Sequence, residues 1–206
     1  MESHENITIA EYQATANSFR EGTWDHDVSQ NRQVLMKWMP RNPGRILDLG
    51  CGPGRDLVAF KAEGHEVIGL DATPAFVEMA QQTGCEVWQQ TFLDLDLPEC
   101  YFDGVFANAS LLHVPQTSME SVLQNLWQSL VEEGVIVLSM ARGNQEGFVN
   151  RPSGQRFVSY WEYETLAPLV QAAGFTITDH YYRPPGLPKD QQSWVVIVAV
   201  KSQSEG

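Results

Sequence analysis

The stretch Arg45-Ile-Leu-Asp-Leu-Gly-Cys-Gly-Pro-Gly-Arg55 constrains the fold of this chain more than any other. An apolar run passes directly into a turn with three glycines, and the turn opens into a segment of helical period. Strand, tight turn and helix in that order form the ligand-binding corner of an open parallel sheet. Glycine lets backbone approach a ligand, and the helix N-terminus favours negative charge. Asp71 closes the next apolar run, Glu66 to Leu70. An acid at that spacing from a glycine turn can accept both hydroxyls of an adenosine ribose.

The rest of the chain repeats the alternation. Strands are predicted at Arg45 to Leu49, Glu66 to Leu70, Glu86 to Gln89, Gly104 to Ala107, Val135 to Met140, Phe175 to Tyr182 and Trp194 to Lys201. Helices are predicted at Asn31 to Met39, Arg55 to Ala62, Ala75 to Gln82, Met119 to Leu130 and Trp161 to Ala172. Strands alternating with helices give an α/β fold, doubly wound, with a mostly parallel seven-stranded sheet covered on both faces. The last two strands are joined only by Arg183-Pro-Pro-Gly-Leu-Pro-Lys-Asp, which implies an antiparallel hairpin at one edge. A length of 206 residues suits one domain, 1–206.

Charge narrows the partners. Thirteen Lys and Arg oppose 26 Asp and Glu, a formal charge of −13, and such a surface repels nucleic acid backbones and anionic lipid. The amino terminus lacks the basic start and apolar stretch of a secretory signal, and the longest apolar run is Trp194 to Val200, so a cytoplasmic protein is expected. Cys51, Cys85 and Cys100 lack CxxC spacing and are expected to be small buried hydrophobes. His26-Asp27 and His180 show no repeated ligand spacing, and no metal site is expected.

Two nucleotide classes compete for the glycine turn. A dinucleotide fingerprint, GxGxxG, needs a third glycine where Arg55 or Leu57 stands, which weakens an NAD-dependent oxidoreductase. An acid just ahead of the first glycine, Asp48 in Asp-Leu-Gly-Cys-Gly-Pro-Gly, instead resembles the first motif of class I S-adenosylmethionine-dependent methyltransferases. Val-Ile-Gly-Leu-Asp71 resembles that family's ribose-binding segment. Phe102-Asp-Gly-Val-Phe-Ala-Asn-Ala-Ser-Leu-Leu-His-Val is similar to its fourth strand and following loop, and Leu130-Val-Glu-Glu-Gly-Val-Ile-Val-Leu to the entry of its fifth. The ordered motifs cover about residues 44 to 140, and Ala173-Gly-Phe fits the family's seven-stranded ending.

The resemblance implies a Rossmann-like fold, S-adenosyl-L-methionine as cofactor and methyl transfer to a small-molecule acceptor. It places Asp48 near the cofactor's ammonium, Gly50 and Gly52 along its amino-acid part, Asp71 on the ribose and Asn108 beneath the methionine portion. Thr91 and Phe92 would lie at the adenine edge, with Thr91 standing where many members carry an Asp. A non-catalytic S-adenosylmethionine-binding module is the other alternative. It would keep the glycines but enclose no acceptor.

The candidate catalytic residues are His113 and Tyr12. His113 is either a hydrogen-bonded wall residue or the acceptor's base. Asp56 complements the dipole of the helix after the glycines, or touches the cofactor. Residues 1–27 are acidic and carry Tyr12, Phe19 and Trp24, as expected of a lid with at least one docked helix; His26 and Asp27 belong to the same segment. Arg142, Arg151, Arg156 and Arg183 are sparse cations, either solvated or available to clamp a carboxylate.

Overall fold

The computed structural model describes residues 3–202; Met1 and Glu2 of the candidate lid lie outside the described residues. Five parallel strands, β1 (Arg45–Leu49), β2 (Glu66–Asp71), β3 (Glu86–Gln89), β4 (Phe102–Asn108) and β5 (Leu130–Ala141), join the later strands β8 (Phe175–Arg183) and β9 (Trp194–Lys201) in one sheet. The order is β3-β2-β1-β4-β5-β9-β8. Strand β9 runs antiparallel to both β5 and β8, so the expected hairpin closes one side of the sheet. The chain reverses direction across the order at β1/β4, where ligands bind in sheets of this kind.

Alternation along each strand sorts side chains between two cores. Ile46, Phe106, Val137 and Val198 face α2 (Ser29–Trp38) and α3 (Arg55–Ala62), packing with Leu35, Leu57 and Phe60. Leu47, Val105, Leu138 and Ile197 face α5 (Met119–Ser129) and α6 (Tyr163–Ala172), packing with Leu123, Leu126 and Leu166. The remaining helices are α4 (Pro74–Gln81), which follows β2, and α1 (His4–Thr23).

The strand predictions hold with small changes at their ends. Helix α5 stops at Ser129, and Leu130 begins β5 instead of ending the helix. Between β5 and α6 lies a hairpin that hydrophobic periodicity did not indicate, β6 (Glu146–Arg151) paired antiparallel with β7 (Gly154–Ser159). Its strands are mostly polar, and side-chain contacts hold it in place. Gln116 N donates to Glu146 Oε2 at 2.7 Å, and Ser159 Oγ donates to Val114 O at 2.7 Å, so the hairpin lies over the loop after β4. The cysteine expectation holds only for Cys51. Cys85 is half-buried and Cys100 exposed, because Cys100 sits in the left-handed turn (φ 49°) leading into β4. No helix of the described residues is long and apolar enough to cross a membrane.

Candidate active site

The glycine turn sits at the carboxyl end of β1 and is bound to β2. Leu70 O accepts from Gly50 N at 2.7 Å and Cys51 N at 3.0 Å, while Asp71 Oδ2 accepts from Gly52 N at 2.9 Å. Asp71 Oδ1 accepts from Thr73 N at 2.8 Å. Burial raises the Asp71 pKa, and these backbone donors oppose the rise. Gly50 has φ +75°, and a Cβ there would come 2.3 Å from Ser110 Cβ, so no other residue fits without movement of the loop after β4.

Asp48 lies directly beneath this turn, 3% exposed, and its Oδ2 has no hydrogen-bond partner among the described residues. Burial pushes its pKa well above its ordinary value, and repulsion from Asp56 adds to the shift. Asp56 itself is held by Arg32 and Arg55, each at 2.6 Å. It is therefore a buried ion-paired group as well as an acid in the first turn of α3, and its two arginines bring positive charge close to the turn.

At the end of β4, Asn108 Oδ1 accepts from Asn31 Nδ2 at 2.8 Å, and Asn31 Oδ1 accepts from Tyr181 OH and Arg183. Ser110, next but one in sequence, is buried with its Oγ unpartnered among the described residues. Phe92 approaches from beyond β3, its Cζ 3.1 Å from where a Gly50 Cβ would stand.

The opposite wall comes from α1 and the β6–β7 hairpin. His113 Nδ1 lies 2.6 Å from Phe157 O, and Nε2 lies 2.9 Å from Tyr12 OH. A carbonyl only accepts, so Nδ1 carries the proton and Nε2 of the neutral ring accepts from the tyrosine. Burial lowers the His113 pKa to about 4 and raises that of Tyr12. Glu11 is buried between Ser153 Oγ, at 2.5 Å, and the Arg156 guanidinium. Its pKa falls because these hydrogen bonds and the Arg156 charge outweigh burial. Helix α1 is further held by Gln13 Oε1, which accepts from Ala75 N of α4 at 2.9 Å, and by Phe19 against Phe76, with centroids 5.2 Å apart.

One cavity of about 960 Å³ runs between these walls. Tyr12, Asp48, Gly50, Gly52, Asp71, Thr91, Phe92, Asn108 and His113 all line it, as do His26, Asp27, Asp56, Arg151, Arg156 and Arg183. Arg142 does not. Its guanidinium pairs with Glu162 and donates to the Lys189 and Gln192 carbonyls. Sequence reasoning missed Asn31, Phe76 and Ser110 as lining residues. Ser110 alone had a signal, a small polar residue just past the end of β4. Among the described residues no three metal-ligating side chains converge.

Residues 46–134 match the methyltransferase domain family. A trans-aconitate 2-methyltransferase of Rhodococcus jostii is 29% identical over 122 residues, 58% of this chain and 46% of the relative. One from an Azoarcus species is 28% identical over 163 residues, 70% of this chain and 64% of the relative. The chain thus spans about half to two thirds of the length of these curated relatives. Among solved structures, a Burkholderia thailandensis 1,6-didemethyltoxoflavin-N1-methyltransferase with 1,6-didemethyltoxoflavin and S-adenosylhomocysteine bound has the same fold, with a TM-score of 0.77 at 24% identity over 98% of this chain and 92% of that one. The glycine turn preceded by Asp48, the strand order and the match of residues 46–134 to the methyltransferase domain family all agree with the resemblance to class I S-adenosylmethionine-dependent methyltransferases.

Proposed function

We propose that the protein transfers the methyl group of S-adenosylmethionine to a small-molecule acceptor within this cavity. The observation that carries the reading is the continuity of the cavity. It runs from the glycine turn, Asp48 and Asp71 to Tyr12, His113 and the β6–β7 hairpin, with a volume at the upper end of small-ligand sites. That is room for a nucleoside donor and a second small molecule, which a cofactor-binding module without catalysis has no need to enclose.

The residues fit the cofactor. The unpartnered Asp48 oxygen suits an ammonium, a charge-assisted contact. Asp71 keeps lone pairs beyond those used by Gly52 and Thr73 for ribose hydroxyls. Thr91 and Phe92 line the cavity and would meet the adenine edge, and Asn108 and Ser110, which also line it, would lie between donor and acceptor. When bound, S-adenosylmethionine supplies a methyl already activated by positive sulfur, so the protein's part is alignment and exclusion of water. Helix α1 serves as the roof that excludes it.

His113 and Tyr12 are positioning residues in this scheme. With Nδ1–H given to Phe157 O and a pKa near 4, the imidazole is a weak base, and its Nε2 is taken by the Tyr12 hydroxyl. A site of this kind suits an acceptor atom that arrives unprotonated. The named activities of the relatives, on trans-aconitate and on 1,6-didemethyltoxoflavin, also support a small acceptor. Isothermal titration tests the reading: saturable heat with S-adenosylhomocysteine and none with NAD is expected. Saturable NAD binding without S-adenosylhomocysteine heat would overturn it.

A further inference from the structure

Arg156 occupies an unusual place for a cation in a chain of net charge −13. It lies on β7 at the acceptor end of the cavity, with its side chain 15% exposed. Three neighbours from α1 fix it. Its Nε donates to Glu11, its guanidinium carbon sits 3.8 Å from the Tyr12 ring centroid, and it lies 5.6 Å from that of Phe19. Nε is the nitrogen that donates to Glu11, the guanidinium also reaches the Tyr12 side chain, and no hydrogen bond from the two outer nitrogens to a carboxylate is found among the described residues. A planar fork held this way loses little freedom on binding an anion.

The other charged groups on this wall are placed differently. Arg183 is committed to Asn31 Oδ1 and the Asp27 carbonyl. Arg151, on the neighbouring strand β6, forms no ion pair among the described residues, and its charge adds to that of Arg156 in acting on Glu11. Glu5 also lines the cavity, but it is only half-buried and forms no ion pair among the described residues, whereas Glu11 is engaged by Arg156 and Ser153. Leu112, Val158, Tyr160 and Trp194 line the same cavity as the guanidinium and give it apolar surface.

We propose that Arg156, assisted by Arg151, determines acceptor specificity by binding a carboxylate carried on a flat, largely apolar molecule. The proposal rests on the methyltransferase reading and deepens it. It concerns the group by which the acceptor is held and leaves the methylated atom open. Glu11 orients the fork from α1, so the roof helix and the hairpin together build the subsite.

The test uses the full chain saturated with S-adenosylhomocysteine and two matched pairs of probes, benzoate with benzamide and cinnamate with cinnamamide, by titration calorimetry or ligand-observed NMR. Saturation by S-adenosylhomocysteine is measured first on the same sample, so failure of the donor reading is seen separately. The acids are expected to bind about tenfold or more tighter than their amides, the difference a charge-assisted contact supplies. Because Arg156→Gln alone strands the buried Glu11 carboxylate, the paired variant Glu11→Gln/Arg156→Gln is used beside it. The pair should abolish the acid preference while leaving S-adenosylhomocysteine affinity within about twofold, and Arg151→Gln should narrow the preference by a smaller factor. Equal binding of acids and amides, binding of neither series, or an acid preference that survives in the paired variant would each overturn the proposal. Loss of S-adenosylhomocysteine binding in the wild type would remove it together with the donor reading.

Discussion

The floor and the roof of the cavity are built by different physics. The floor is backbone: Gly50, Cys51 and Gly52 donate to Leu70 and Asp71 between neighbouring parallel strands, above a core of Leu47, Leu49 and Leu70. The roof is held by side chains brought together from distant parts of the sequence: Tyr12 to His113, Glu11 to Ser153 and Arg156, and the Phe157 N–H to Thr8. A backbone floor tolerates little change and suits a constant ligand. A roof of side-chain contacts can open locally and can be altered one residue at a time, which suits a variable acceptor.

The largest difference between the two regions is expected at glycines. Gly50→Ala combines a left-handed φ with a clash against Ser110 Cβ, and it should cost roughly 2 to 6 kcal/mol in denaturant unfolding and abolish S-adenosylhomocysteine binding. On the roof, nothing lies within 4 Å of a Cβ at Gly22 in α1. Gly22→Ala should therefore stabilise by roughly 0.5 to 1 kcal/mol, the smallest effect in the series. Equal costs at both glycines would erase the contrast.

His113 gives a pH-dependent signal. Its folded pKa, about 4, lies below the ordinary 6.5, so between these values the unfolded chain holds a proton that the folded protein lacks. Stability should fall as pH drops from about 6.5 to about 4, by up to about 3 kcal/mol, and the slope should shrink in His113→Gln. A pH profile unchanged by the substitution would place the ring in a less buried setting.

Glu11→Ala leaves Arg156 without its partner and should cost roughly 2 to 4 kcal/mol. Hydrogen exchange should quicken along α1 and the hairpin while β1 and β4 keep their protection, so the loss stays local to the roof. Uniform exchange across both regions would show that floor and roof open as one unit.

Asp48 gives a subtler signal. Its raised pKa means the folded protein keeps a proton that the unfolded chain has lost, so its contribution to stability falls as pH rises through the carboxylate range and above. An ammonium beside it reverses the shift, and S-adenosylhomocysteine binding should release protons. Titrations in buffers of different ionisation enthalpy read this release, which Asp48→Asn should remove.

The same contrast explains what was legible in the sequence. β1, α3, β3 and β9 are found at their predicted bounds because apolar period and glycine spacing are local signals of buried structure. Tyr12 and His113 are separate candidates in the sequence, 101 positions apart, and nothing local indicates that they meet. Hairpin β6–β7 escaped because its strands are polar and gain their place from α1 and the loop after β4. Helix α1 buries Thr8, Glu11 and Ala16, small or polar positions that write no hydrophobic stripe, so only its scattered aromatics suggested docking. Arg151 and Arg156 were indistinguishable from Arg142 in sequence; the hairpin turns the first two toward the cavity, while Glu162 holds Arg142 away from it.

The most direct test of a donor floor beneath an acceptor roof is a crystal structure of the full chain with S-adenosylhomocysteine. The expected complex has the ligand's amino group on the free Asp48 oxygen, its ribose hydroxyls on Asp71 and its adenine beside Thr91 and Phe92. The space under Tyr12 and Arg156 stays open for the acceptor. Adenosine found under α1 against Arg156, with Asp48 and Asp71 untouched, would contradict the assignment of floor to donor and roof to acceptor.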